Sequence, residues 1–151
     1  MTQKKDNKGF SLVELIVVVA IMAVLMGILV PTLVRNVEKS KKQKDLSGIE
    51  EIRSTMEKCL ADENFSAITK KFSATSGKVV INNFKTGDAT IDDYIDEVAS
   101  QIKDYTCKSK EFGNATIEFE VEDEAVYYRV SDTKSDAIYR SENRPEKSSN
   151  N

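Results

Sequence analysis

The sequence predicts an α+β protein in which one long N-terminal α-helix packs against an antiparallel β-sheet. Two patterns support this prediction. Residues 15–34 form an apolar run without a single charge, and an amphipathic stretch follows it. Residues 116–121 alternate strictly between apolar and polar side chains. The first pattern is typical of a helix and the second of a half-buried strand, so both element types are expected in one chain.

The first predicted element is a helix from Phe10 to about Asp62. The twenty uncharged residues from Leu15 to Val34 cover roughly 30 Å at about 1.5 Å per residue, which is the thickness of a bilayer core. Further along, apolar residues recur every three or four positions and define one stripe on a charged helix. The stripe consists of Leu46, Ile49, Ile52, Met56, Cys59 and Leu60. It requires a covering surface, which a sheet can supply.

The sheet is predicted from short β-branched and alternating segments. Residues 78–81 form one strand. Residues 116–121 and 126–130 form a hairpin around a turn at 122–124. Residues 137–139 could add a last short strand.

A second helix is predicted between the first strand and the hairpin, at about residues 91–105. Thr90 and Asp93 have the spacing of a capping box. Apolar residues then follow at helical intervals, namely Ile91, Ile95, Val98 and Ile102. Four acidic residues lie in its first half, namely Asp92, Asp93, Asp96 and Glu97. They could suggest a cation site, but the helix dipole already explains acids in a first turn, so we expect no metal.

Glu14 is the only charged residue between Phe10 and Val34, and it lies just inside the apolar run. An ionisable group in hydrocarbon costs on the order of a few kcal/mol unless it finds a partner. Glu14 is therefore a candidate functional residue. In the alternative interpretation the segment is a plain membrane anchor, and the carboxylate of Glu14 merely reaches the head groups.

The residues around Glu14 resemble the processing site of type IV pilins and pseudopilins. The segment reads Lys8-Gly9-Phe10-Ser11-Leu12-Val13-Glu14. It has a short basic leader, Gly9 before the cut and Phe10 after it, and Glu14 is the fifth residue of the mature chain. Pro31 is a further feature of the family, and the resemblance covers about residues 4–40. It implies a pilin fold, cleavage by a prepilin peptidase, N-methylation of Phe10 and filament assembly on an inner-membrane platform.

Cleavage would give Phe10 a free amine, a positive charge as isolated in hydrocarbon as the Glu14 carboxylate. If these groups on neighbouring subunits paired, each would relieve the desolvation cost of the other and fix the axial register of the two helices. The Phe10 amine could also reach Glu14 of its own helix. The residues alone leave both partners open, and the resemblance favours the neighbouring subunit.

Gly27 and Pro31 are predicted to form the weakest turn of the long helix. Proline has no N–H, so no hydrogen bond can run from residue 31 to the carbonyl of Gly27, and glycine is itself a poor helix former. We expect extraction from the membrane and packing to use this turn. The alternative is that Pro31 is one of the prolines that membrane helices tolerate.

Charge is distributed unevenly after the apolar run. Residues 35–44 carry a net charge of +4, whereas residues 45–151 carry −8. A basic segment beside a membrane span is attracted to anionic lipid head groups, so membrane lipid is an expected partner before assembly. An acidic domain is poorly suited to nonspecific nucleic-acid binding, and no nucleic-acid partner is predicted.

Four regions follow from these patterns. Residues 1–9 are the leader peptide, 10–34 the membrane-spanning and filament-core helix, 35–140 an exported globular domain that includes the amphipathic half of the helix, and 141–151 a disordered tail. Counting basic residues on each side of the span would place the domain in the cytoplasm. The processing site overrules that count, because it implies a cytoplasmic leader, a single pass through the cytoplasmic membrane and a domain that reaches the cell surface.

The two cysteines, Cys59 and Cys107, could be bridged in an exported chain. Cys59, however, lies on the apolar stripe, where a free cysteine packs as a small hydrophobe, and the spacing differs from the bridge that is usual in the resembled family. Unpaired thiols are therefore favoured.

The chemistry of the sequence points to a structural protein. The chain has no histidine to activate a thiolate, and it lacks a phosphate-binding loop and metal-ligand spacings, so we expect neither enzymatic activity nor a cofactor. The predicted function is a structural subunit of a type IV pilus that polymerises with copies of itself and serves adhesion, motility or biofilm formation. Two alternatives are a pseudopilin of a type II secretion or DNA-uptake machine and a membrane-tethered binding domain that never polymerises.

Overall fold

A computed structural model describes residues 11–131 and 139–140. The chain forms two compact units that meet in sequence at Val37 and Glu38. In chain order the elements are α1 (Leu12–Leu60), β1 (Lys70–Ala74), β2 (Lys78–Val79), a 3-10 turn (Ile81–Phe84), α2 (Ala89–Gln101), β3 (Tyr105–Thr106), a second 3-10 turn (Phe112–Asn114), β4 (Thr116–Glu122), β5 (Ala125–Ser131) and β6 (Tyr139–Arg140).

The first unit contains the N-terminal part of α1, and the second contains the rest of α1 and the sheets. The predicted long helix is confirmed over its described residues, since it runs from Leu12 to Leu60. Phe10, where the prediction began, lies outside the described residues. The predicted α+β class is likewise confirmed, because an antiparallel sheet packs on the second part of this helix.

The main sheet has the strand order β1-β4-β5-β6, and all of its pairings are antiparallel. The predicted hairpin is β4 and β5, with Phe119 opposite Tyr128 and Val121 opposite Val126. Its two-residue turn places Asp123 and Glu124 at φ values of 52° and 61°. Positive φ at both central positions is what a hairpin turn of type I′ requires, although neither residue is a glycine.

The apolar stripe of α1 forms one wall of the core of the second unit. Ile49, Ile52 and Met56 have no exposed surface. The opposite wall comes from the sheet and from α2, where Tyr94 is fully buried and donates its hydroxyl hydrogen to the Met56 carbonyl at 2.8 Å. Phe119 of β4 is also fully buried. The sheet therefore covers the helix stripe as the sequence pattern predicted.

The predicted start and end of α2 are wrong. Asp88 caps the helix, because its side chain accepts the N–H groups of Thr90 and Ile91 at 3.0 and 3.1 Å. Thr90 lies inside the helix, so it cannot form the predicted capping box. The helix also ends at Gln101 and not at residue 105, since the following residues are extended and Tyr105 enters β3.

The first predicted strand is also shorter than expected. Only Lys78 and Val79 are in a strand, and they pair with β3 in a separate two-stranded sheet. Ile81 instead begins a 3-10 turn, where its N–H donates to the Asp104 carboxylate at 3.0 Å. The edge strand β1 of the main sheet was not predicted, because only Phe72 and Ala74 of its five residues are buried.

The last predicted strand falls mostly outside the described residues. Of residues 137–139, only 139 is described, and it pairs with Val130 as part of β6. The segment 141–151, which the sequence predicts to be a disordered tail, lies outside the described residues, as does the leader 1–9.

Candidate functional site

Glu14 belongs to a capping box at the start of α1. Its Oε2 atom accepts the backbone N–H of Ser11 at 2.9 Å. In return the Ser11 hydroxyl oxygen accepts the N–H of Val13 at 3.4 Å, and the Ser11 carbonyl accepts the N–H of Leu15 at 3.2 Å. This reciprocal arrangement is the S-x-x-E capping motif. The motif is visible in the sequence as Ser11 followed three residues later by Glu14, although it was not among the predicted features.

The capping box leaves Glu14 able to bind a second donor. A carboxylate has two oxygens and about four acceptor positions, whereas the cap uses Oε2 for one backbone donor. An additional cationic partner is therefore compatible with the cap. Gly9 and Phe10, the predicted cleavage and methylation residues, lie outside the described residues. The pairing of Glu14 with the Phe10 amine stays a prediction.

The helix that follows Glu14 exposes an uncharged and almost entirely apolar surface as far as Val34. Every residue from Leu12 to Val37 is exposed. An 18-residue window within α1 has a mean hydropathy of 3.0 and no buried residue, so its length and composition suit a membrane span. The hydrocarbon core of a membrane can surround such a helix, because its side chains are apolar and its backbone N–H and C=O groups form hydrogen bonds within the helix. The processing motif and this apolar helix together indicate anchoring in a membrane.

The predicted weak turn lies within the assigned helix. Pro31 is inside α1, and apart from the neighbouring helix backbone no atom of the described residues lies within 4 Å of the position that a Cβ atom on Gly27 would occupy. One turn along, the Thr32 hydroxyl donates to the Ile28 carbonyl at 3.3 Å. Such side-chain bonds help membrane helices to accommodate proline. Bending or melting at residues 27–31 stays a prediction.

A segment of the second unit is fastened to α1 by two acidic side chains. Asp45, which has no exposed surface, accepts the N–H groups of Lys108 at 2.9 Å and Ser109 at 2.8 Å. Glu38 accepts the next amide, that of Lys110. The Tyr105 hydroxyl also donates to Asp45 at 3.1 Å. We call residues 105–111 the strap.

The strap gives Asp45 an unusual electrostatic environment. Burial acts to raise the pKa of Asp45, but hydrogen bonds from Ser109, Lys108 and Tyr105 outweigh burial and hold the pKa below its ordinary value. Burial, together with the hydrogen bond to Asp45, raises the pKa of Tyr105 to about 12. No sequence pattern indicates this role, because Asp45 is one of many charges on an amphipathic helix.

An open groove of about 490 Å³ lies between α1 and β5 in the second unit. Its lining residues are Gln43, Leu46, Ser47, Glu50, Arg53, Glu57 and Ala125 to Tyr128. Arg53 contacts Glu50 at 2.7 Å and Glu57 at 2.6 Å, and it also donates to the Val126 carbonyl at 3.3 Å. The guanidinium group therefore bridges the helix and the strand.

Neither cysteine is bridged or reactive in the structure. Cys59 and Cys107 are both buried and free. Burial, assisted by the negative charge of Asp45, raises the pKa of the Cys107 thiol to about 12. Burial likewise raises the pKa of Cys59, with a smaller effect from Glu97. Both groups are thus held as neutral thiols that pack in the core.

Two acidic residues of α2, Asp92 and Asp96, have partners elsewhere in the second unit. Asp92 accepts the N–H of Thr86 at 2.8 Å, and Asp96 pairs with Lys85 at 2.5 Å. Within residues 11–131 and 139–140, no group of three or more acidic, histidine or cysteine side chains could hold a metal ion.

Comparison with known proteins agrees with the processing motif. Residues 4–30 match the model of the family described as the prokaryotic N-terminal methylation motif. The type II secretion system core protein G of Aeromonas hydrophila is 36% identical over 62 residues, which are 41% of this chain and 43% of that protein. The type IV major fimbrial protein FimA of Dichelobacter nodosus is 34% identical over 91 residues, 56% of this chain and 57% of that protein.

The chain therefore spans about half the length of the curated relatives that it matches. No solved structure matches it. The resemblance drawn from Gly9, Phe10 and Glu14 is confirmed: residues 4–30 carry the prokaryotic N-terminal methylation motif, and the chain is similar to a type IV major fimbrial protein and to a type II secretion system core protein.

Proposed function

We propose that this protein is a structural subunit of a type IV pilus, anchored in the cytoplasmic membrane by α1 and then assembled into a surface filament with copies of itself. One observation carries the proposal: the methylation motif at residues 4–30 coincides with an exposed apolar helix that no other part of the described chain covers. Glu14 is the single charge on this helix before Arg35. The apolar helix of such a subunit is covered by lipid before assembly and by the helices of other subunits in the filament. The subunit serves adhesion, motility or biofilm formation as a structural protein with no catalytic step.

In this proposal a prepilin peptidase cuts between Gly9 and Phe10, and Phe10 is then N-methylated. The new amine pairs with Glu14 of a subunit already in the filament. Two isolated charges in a low-dielectric environment attract strongly, so the pair sets the register of the incoming helix. The assembly platform of the membrane lifts the subunit out, and the turn at residues 27–31 supplies the local flexibility.

A pseudopilin of a secretion or DNA-uptake system is the second candidate. Similarity to type II secretion system core protein G, from Escherichia coli for example at 34% identity over 71 residues, favours it specifically. Such a protein would use the same N-terminal chemistry.

Electron microscopy of a strain that lacks this gene separates these candidates. Loss of surface filaments, restored by the gene in trans, is the result expected of a major pilin. Intact filaments together with lost secretion or transformation would establish the pseudopilin instead. Intact filaments with both processes unchanged would leave a tethered binding domain.

Mass spectrometry of the mature protein tests the processing step. The expected chain begins at Phe10 and carries one added methyl group, and Gly9→Val should block both changes. Assembled protein that retains residues 1–9 would contradict the proposal.

Substitutions at Glu14 separate its charge from its role in the capping box. Glutamine is also a capping-box residue, so Glu14→Gln keeps the cap and removes the charge. We expect this variant to be inserted and cleaved normally but to be excluded from filaments. Ser11→Ala is the matched control, because it weakens the cap and leaves the charge of Glu14 in place. Normal filaments from Glu14→Gln would show that the charge has no part in assembly.

A further inference from the structure

Two lysines of the strap point away from the core of the second unit. Cys107 and Ser109 are buried, with 7% and 2% of their surface exposed. Lys108 and Lys110 alternate with these residues and are exposed. None of the ion pairs within the described part of the chain involves either lysine. Both ammonium groups are therefore available to a partner outside the chain.

Acidic side chains of α1 hold the backbone of these two lysines at the start of the second unit. The N–H of Lys108 donates to Asp45 at 2.9 Å, and the N–H of Lys110 donates to Glu38. Glu38 is the first residue of the second unit, and in sequence it follows closely after Val34, where the uncharged run ends. The four residues between these positions span at most about 14 Å even in a fully extended chain. Lys110 is therefore held close to the level at which lipid head groups would surround α1.

Further unpaired lysines lie on the same stretch of α1. Lys39, Lys41 and Lys44 are exposed, and no ion pair among residues 11–131 and 139–140 uses them. They occupy the part of the helix between Glu38 and Asp45, to which the strap is bound. Together the unpaired lysines of α1 and of the strap form a surface that we call the basic patch. The basic patch consists of Lys39, Lys41, Lys44, Lys108 and Lys110.

The acidic side chains of this region do not cancel the charge of the basic patch at the surface. Asp45 has no exposed surface, and Glu38 accepts the strap amide. Glu111 forms an ion pair with Lys42 at 2.9 Å, so that lysine is not part of the patch. The remainder of the domain is acidic, since residues 45–151 carry a net charge of −8. A negatively charged surface would therefore attract the basic patch and repel the other faces of the domain.

We propose that the basic patch docks the folded domain onto the anionic lipid head groups of the membrane that holds α1. The sequence pattern predicts lipid contact for residues 35–44 alone. The fold adds Lys108 and Lys110, which are brought to this stretch by Asp45 from 63 residues away. Each lysine near an anionic membrane surface changes a binding equilibrium about fivefold, so the two strap lysines favour docking by about 30-fold. The proposal rests on the membrane anchor of the proposed function and does not depend on filament assembly.

Acetylation of lysines in the full chain, reconstituted into lipid nanodiscs, tests this docking. An uncharged acetylating reagent is applied to discs of phosphatidylcholine alone and to discs that also contain phosphatidylglycerol, and mass spectrometry gives the rate at each lysine. We expect Lys108 and Lys110 to react about fivefold more slowly, or slower still, in the anionic discs. Lys58, which is exposed near the other end of α1, is the internal control and should react equally in both discs. Salt at about 1 M, which shortens the screening length to about 3 Å, should abolish the difference.

Substitutions test whether the strap lysines themselves cause docking. The double variant Lys108→Gln, Lys110→Gln should let Lys44 react in anionic discs almost as fast as in neutral ones. The variant Lys108→Arg, Lys110→Arg keeps the charge and should preserve the slow reaction. Lys58→Gln with Lys70→Gln is the matched control, because it removes the same charge from exposed positions outside the basic patch; it should leave Lys44 unchanged. All of these side chains are exposed, so the melting temperature should change little in every variant.

The outcomes separate docking from anchoring. Incorporation into the discs with equal acetylation of Lys108 and Lys110 in neutral and anionic lipid would overturn the docking and leave the membrane anchor intact. Protection that follows the number of chains per disc, and not the lipid charge, would also overturn it, since the partner would then be a second copy. A chain that does not enter the discs would refute the anchor of the proposed function and the docking with it.

Discussion

Replacing Asp45 with asparagine should destabilise the second unit by about 3 kcal/mol, although the two side chains have nearly the same shape. Both carboxylate oxygens face backbone donors: Oδ1 accepts from Lys108 at 2.9 Å and Oδ2 from Ser109 at 2.8 Å. With its NH₂ group in the Oδ2 position, an asparagine would point its hydrogens at the Ser109 N–H, and this buried donor would lose its acceptor. With the NH₂ group in the Oδ1 position, the hydrogens would face the Lys108 N–H, which would keep only its longer contact of 3.1 Å to the other oxygen.

The magnitude follows from the burial of this site. Asp45 has no exposed surface, so water cannot replace the lost acceptor. A hydrogen bond to a charged group contributes about 1.5–3 kcal/mol, and an unsatisfied buried donor costs about 1–3 kcal/mol. For a domain of this size, a loss of about 3 kcal/mol lowers the melting temperature by roughly 10 °C or more.

Thermal unfolding of the full chain in detergent, followed by the near-ultraviolet circular dichroism of its tyrosines, measures this loss. Asp93→Asn is the matched control, because Asp93 is exposed and surface substitutions usually change stability by less than about 0.5 kcal/mol. If Asp45→Asn melted within about 2 °C of the wild type, the buried carboxylate would not be what holds the strap.

The pKa of Asp45 adds a dependence on pH. Since the folded-state pKa lies below its ordinary value, the carboxylate stabilises the fold above the unfolded-state pKa, about 3.9, and loses this effect as the pH falls through the lower folded-state pKa. The difference in stability between wild type and Asp45→Asn should therefore be constant near neutral pH and should shrink below about pH 4.

Three further substitutions test close contacts and turns by the same thermal unfolding measurement. Gly48→Ala should cost about 1–3 kcal/mol, because its Cβ would lie 2.4 Å from the Tyr105 ring; a melting temperature equal to the wild type would show that the ring can move. Gly77→Ala should cost about 2 kcal/mol or more, since Gly77 has a φ of 62° and its Cβ would lie 2.2 Å from the Phe112 carbonyl oxygen. Glu124→Gly should instead stabilise by about 1 kcal/mol, because it relieves a φ of 61° in a hairpin turn; a lower melting temperature would contradict this.

Periodic patterns in the sequence predicted most of the fold. Two features were identified in this way: the helix stripe that contains Ile49, Ile52 and Met56, and the hairpin of β4 and β5. In each, apolar residues recur at a constant interval over several helix turns or strand residues. The errors fell where single contacts decide the structure. Asp88 caps the helix, and Thr90 does not, because the Asp88 carboxylate accepts the N–H of Ile91. The strands β2 and β3 pair over only two residues each, which is too short for a periodic pattern to show in the sequence.

The processing motif was predictable from the sequence, whereas the strap was not. Gly9, Phe10 and Glu14 are adjacent in sequence, so their spacing alone carries the information. Asp45 and Ser109 are 64 residues apart, and only the tertiary fold brings the carboxylate to the amide. A buried acid of this kind cannot be distinguished in sequence from an exposed one on the same helix.

The capping box changes the energetic argument for Glu14. A carboxylate without a partner in hydrocarbon would favour any neighbour that neutralised it, and its substitution would then affect membrane insertion as well as assembly. In this protein the Ser11 amide already binds the carboxylate, and the N-terminal end of a helix dipole stabilises negative charge. The carboxylate of Glu14 therefore has a hydrogen-bond donor within its own chain before any assembly contact forms. In the proposed function, pairing with the Phe10 amine of another subunit would add a contact specific to the filament, so we expect loss of the charge to affect assembly and not insertion.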